Sequence, residues 1–165
     1  MYTYLTHGSE YYMQRLIDNN NDRTLMKYAG QEDIILYEET TEKSVFSSPE
    51  SFEVVESDGS MTDDAPLMLR YFQVSDERRK AAESRLTGEK NFAEYDGYIA
   101  YRLLRPLRGQ TYCVALQFQD EDMLDDFRKS SVYREHYENA VLKQYETADF
   151  ISNIHFTKLL RPITD

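Results

Sequence analysis

The strand-like run TYCVALQF, residues 111–118, constrains the fold more than any other stretch. Side chains alternate across a strand, so Tyr112, Val114, Leu116 and Phe118 share one face, while Thr111, Cys113, Ala115 and Gln117 share the other. The large apolar face asks for a layer of helices. The small mixed face suits a second sheet, or water, because antiparallel sheets are often buried on one side only.

The segments around this strand set its topology. PLMLRYFQV is apolar and β-rich. SDERRKAAESRLTGEK reads as a helix, with Ser75 as cap, Asp76 and Glu77 in its first turn and Gly88 as stop. GYIAYRLLRP and TYCVALQF flank LRGQ, a hairpin signal. DEDMLDDFRKS is an acidic-fronted helix with Met123 and Phe127 four apart. NIHFTKLLRP closes the pattern as a strand ended by Pro162. Residues 67–162 therefore read β-α-β-β-α-β, the split βαβ order of ferredoxin-like folds.

The N-terminal part is a weaker copy. MYTYLTHG is strand-like, and SEYYMQRLID is a short helix capped by Ser9 with Met13 and Leu16 on one face. RTLMKYAG and DIILYEE form a hairpin. The acidic stretch 48–66 holds SFEVVE, readable as strand or helical turn, and then a connector. We place the boundary there, giving a β-α-β-β half at 1–62, an incomplete ferredoxin-like unit, and a complete unit at 63–165. The expected class is α+β, with the two halves, or two chains, forming a pseudo-dimeric or dimeric α+β barrel. Such a barrel has room between sheet and helix for a flat ligand. A homodimer and a fully structural oligomer are both open readings.

Composition narrows the partners. The chain has 165 residues and a formal charge of -11, which repels phosphate backbones and argues against nucleic acid. No apolar run approaches the length of a membrane span. The N-terminus lacks the pattern of a secretory signal, so a cytoplasmic location is expected. The fourteen tyrosines and eight phenylalanines, with no tryptophan, suit half-wet surfaces and interfaces. The single cysteine, Cys113, reads as a small core residue. No calcium loop, Walker loop, dinucleotide fingerprint or nucleophile elbow is present.

YRLLRPLRGQTYCVALQF followed by DDFRKSSVYREH resembles the antibiotic-biosynthesis-monooxygenase (ABM) superfamily. Within it, the chain resembles the TRAP signal-transduction branch and the two-part bacterial heme-degrading monooxygenases. The likeness runs the length of the chain. It implies a small binding or stress-related module of TRAP type, or alternatively a heme-degrading monooxygenase with altered site residues. In the heme-degrading members an Asn on the opening strand positions oxygen, and a Trp and an axial His lie on the later helix. The matching positions are Arg70, Phe127 and Tyr137, and His136 falls one residue earlier. One residue on a continuous helix turns a side chain by about 100°. Ser130-Ser131 can break the helix and cap a new one. Tyrosine also ligates heme iron in some proteins, so His136 and Tyr137 are both candidate heme ligands, with a surface or cap role as the alternative for His136.

Arg70 alternates with apolar neighbours and needs a partner. That partner is either a carboxylate of the chain or an acidic ligand. Arg102, Arg105 and Arg108 form a basic cluster, read as a site for an acidic ligand or subunit, or as a solvated hairpin end. His7 and His155 read as structural. The acidic residues Asp120, Glu121, Asp122, Asp125 and Asp126 favour a helix N-terminus and solubility.

Overall fold

The computed structural model describes residues 1–146 and 155–163. Eight strands close into one barrel: β1 (Tyr2–Gly8), β2 (Met26–Ala29), β3 (Ile34–Thr40), β4 (Glu50–Gly59), β5 (Leu67–Gln73), β6 (Tyr98–Pro106), β7 (Thr111–Phe118) and β8 (Phe156–Pro162). Around the barrel the order is β1-β3-β2-β8-β5-β7-β6-β4. Each half contributes one ferredoxin-like sheet in the same relative order, β4-β1-β3-β2 and β8-β5-β7-β6. SFEVVE is a strand, and it pairs with both β1 and β6. The two seams are unequal. β4 and β6 pair from Phe52↔Pro106 to Gly59↔Ala100, whereas β2 and β8 share only Tyr28↔Pro162 and Ala29↔Arg161.

The helices lie outside. α1 (Glu10–Asn19) is capped by Ser9, whose hydroxyl accepts from the Tyr12 N–H, and it covers the first half with Met13. α2 (Arg79–Leu86) follows a short 3₁₀ turn at Asp76–Arg78. α3 (Glu121–Arg128) is capped by Asp120, which accepts from the Met123 N–H at 2.8 Å. Ser130 then breaks the chain direction with extended backbone and caps α4 (Ser131–Tyr137). A single turn, α5 (Asn139–Leu142), leads to a 3₁₀ turn at Lys143–Tyr145.

The alternation in β7 divides two cores. Tyr112, Val114, Leu116 and Phe118 pack with Ala82, Leu86, Leu124 and Phe127 in the layer between sheet and helices. Cys113 and Ala115 face the barrel interior with Leu5, Tyr37, Leu69 and Tyr71. Burial pushes the Cys113 thiol well above its ordinary value, as expected of a core cysteine.

Candidate functional site

The candidate site lies between the outer face of the second sheet and α3–α5. β5 presents Met68, Arg70 and Phe72 to that side, and β7 and β6 add Leu116, Phe118 and Tyr101. Rings fill the layer. Phe127 packs against Phe118 and Tyr95 at centroid distances of 5.0 Å each, and against Phe92 at 5.7 Å. Tyr137 packs against Tyr133 at 5.6 Å. Phe127 is 1% exposed and Tyr137 is fully buried. The volume that a flat ligand was expected to take is occupied by aromatic side chains.

The break at Ser130 resets the helix rotation. It brings Phe127 and Tyr137 into one cluster and leaves His136 half-buried, facing away. The His136 Nδ1 lies 2.8 Å from the Val132 carbonyl, one turn back in its own helix. Burial pushes the Tyr137 phenol upward, so its hydroxyl stays protonated.

Arg70 is the polar feature of this layer. It is 6% exposed, opposite Val114 on β7 and Thr157 on β8. Its Nε donates to the Tyr137 carbonyl at 3.0 Å, Nη1 to Thr157 Oγ1 at 3.3 Å, and Nη2 to Asn139 Oδ1. The carbonyl sits at the C-terminus of α4, where a cation is favoured. Of the two partners expected for Arg70, a carboxylate of the chain is not found among the described residues. No acid lies within ion-pair distance, and neutral oxygens take its donors instead. Burial holds the guanidinium below the ordinary arginine value, and nearby Arg128 acts in the same direction. Arg70 lines an open cavity of about 450 Å³ together with Asp125, Arg128, Lys129, Tyr133, Glu138 and Asn139.

The expected cluster of Arg102, Arg105 and Arg108 does not form. Arg102 points into the barrel and makes a bidentate pair with Glu39, at 2.6 and 3.3 Å. Arg105 bridges Glu83 on α2 and Glu53 on β4, and Arg108 is exposed in the hairpin turn. Once the strands are assembled, each arginine of that run points a different way. His7 and His155 each meet a carboxylate brought by folding, Asp33 and Glu146, both at 2.8 Å. Among the described residues no His, Cys, Asp and Glu group is placed to hold a metal ion, and no helix is long and apolar enough to cross a membrane.

The residues that sequence reasoning missed are Arg128, Lys129, Asn139 and Thr157. The first two were visible as a basic doublet closing an acidic helix. The others come from positions 69 and 87 residues beyond Arg70, with no local signal.

A one-chain barrel of two ferredoxin-like sheets, with a ring-filled helical layer over the second, defines a structural class. Residues 67–139, within the second half of the barrel, match the antibiotic biosynthesis monooxygenase family model. Over its full length the chain is similar to the signal transduction protein TRAP. It is 26% identical to that of Staphylococcus epidermidis, covering 100% of this chain and 99% of the relative. It is also 26% identical to TRAP of Staphylococcus aureus, covering 98% of each. Among solved structures, one described as a major regulator of staphylococcal pathogenesis superposes with a TM-score of 0.92 at 24% identity, covering 99% of this chain and 100% of that one. A heme-degrading enzyme from Listeria monocytogenes superposes with a TM-score of 0.75 at 17% identity, covering 98% and 99%. These solved structures share the fold of the chain, and over its whole length the chain is similar to TRAP proteins.

Proposed function

We propose that this chain is a cytoplasmic TRAP-like binding module that works without heme chemistry. The signal transduction named for its relatives then extends to it. One observation carries this reading: Phe127 and Tyr137, at the positions that correspond to the Trp and His of heme-degrading relatives, are packed into the core. A flat macrocycle and those rings would claim the same space. The residue set does not fit a heme. His136 is engaged by its own helix, and Tyr137 offers a protonated phenol among other rings. Within the module, residues 1–62 act as the supporting half of the barrel and 63–165 as the ligand-facing half.

Hemin titration followed by a reductant tests this. The expected result is no saturable Soret band at micromolar hemin. A stoichiometric band that then bleaches on reduction would overturn the reading in favour of a monooxygenase with altered ligands.

A further inference from the structure

We propose that Arg70, Arg128 and Lys129 form a binding site for a small soluble oxyanion, the carboxylate or phosphate group of a metabolite-sized ligand. The proposal rests on the binding-module reading and names what the module binds.

Three observations carry it. A guanidinium has five N–H donors. Arg70 commits three of them, to the Tyr137 carbonyl, Asn139 and Thr157. Among the described residues, one hydrogen on Nη1 and one on Nη2 have no acceptor, which leaves two charged donors for an arriving oxyanion. A buried charge is costly unless it is paired, and neutral oxygens compensate it only in part.

The second observation is the cavity. Arg70 reaches a solvent-open space of about 450 Å³ that Arg128 and Lys129 also line. Among the described residues neither of these two makes an ion pair. The Arg128 guanidinium instead lies 5.7 Å from the centre of the Tyr133 ring. Asp125 and Glu138 also line the cavity, so three cations face two acids.

The third observation is the contrast with the rest of the chain. Thirty acids against nineteen bases make negative charge the rule. A cavity with a positive excess, built around a buried cation, runs against that background. The chain's overall negative charge also disfavours an anionic membrane surface as the source of the oxyanion.

The test uses the full-length chain at constant ionic strength. Inorganic phosphate and succinate are titrated separately, with thermal stability and amide chemical shifts as readouts. Three proteins are compared: the native chain, the pocket variant Arg128→Gln/Lys129→Gln, and the control variant Arg15→Gln/Lys43→Gln. The control loses the same charge from exposed positions elsewhere. The expected result is saturable binding of one or both anions by the native chain and the control, and at least about tenfold weaker binding by the pocket variant. The tighter anion identifies the oxyanion. Arg70→Lys, which keeps the charge and loses the fork, should weaken binding as well. Absence of saturable binding to the native chain, or equal binding by the pocket and control variants, would overturn the proposal and leave Arg70 as a clamp on α4. The hemin titration reads a separate signal, so failure of either reading shows on its own.

Discussion

Arg102 and Arg70 are almost equally buried, at 5% and 6% exposure, and lie on opposite faces of the same sheet. Arg102 enters the barrel interior and spends all five donors: two on Glu39, and one each on the carbonyls of Tyr101, Asp58 and Gly59. It joins β6 of the second half to β3 of the first across the interior. Arg70 faces the helices, spends three donors on neutral oxygens and opens onto a cavity. A buried charge that serves only the fold is satisfied within the fold. One with spare donors at a cavity is placed for something that arrives from outside.

The largest effect should come from the ring layer that backs Arg70. Phe127→Ala removes a buried ring packed against the rings of Phe92, Tyr95, Phe118 and Tyr133, and should cost about 4 kcal/mol in urea unfolding. A loss below about 1 kcal/mol would mean that the layer is loosely packed and has room for a ligand. Arg102→Met strands Glu39 and should cost about 3 kcal/mol, with no change in anion binding. Arg70→Met leaves no acid stranded among the described residues, and should cost less, about 2 kcal/mol, while abolishing the anion effect. If Arg70→Met proved costlier than Arg102→Met, the contrast between the two would fail.

A pH series sharpens the same comparison on a third arginine. The hydrogen bond from Arg105, and then that from Tyr112, hold the Glu83 carboxyl below its ordinary value of 4.5. A depressed carboxyl contributes stability above its unfolded value and loses it as pH falls through its folded value. Arg105→Gln should therefore cost up to about 1 kcal/mol near neutral pH, since the pair is partly exposed, and converge on the native chain in acid. Parallel stability curves down to strong acid would contradict this. The smallest effect is expected at His136. His136→Gln should change stability by under about 0.5 kcal/mol and leave the hemin spectrum unaltered.

Much of this was legible in the residues. The alternation in TYCVALQF divided the two cores correctly, because a period of two assigns faces without knowing the partner. Ser9 and Ser130 marked helix starts as side-chain caps, and the acidic run from Asp120 marked another by its charge, all local signals. What stayed hidden depends on long-range closure. SFEVVE is ambiguous alone, and its strand state is set by β1 and β6 on either side. The separate fates of Arg70, Arg102 and Arg105 follow from partners 22 to 87 residues away. Arg70 was correctly marked as a charge needing a partner. The neutral nature of its partners had no sequence signature.

The most direct measurement follows the arginine Nε–H resonances of the native chain during titration with inorganic phosphate or succinate. The account predicts that the Arg70 resonance moves saturably while that of Arg102, with every donor already spent inside the barrel, stays fixed. If both resonances moved together, or neither moved, the two buried arginines would be alike and the distinction drawn between fold and ligand site would be wrong.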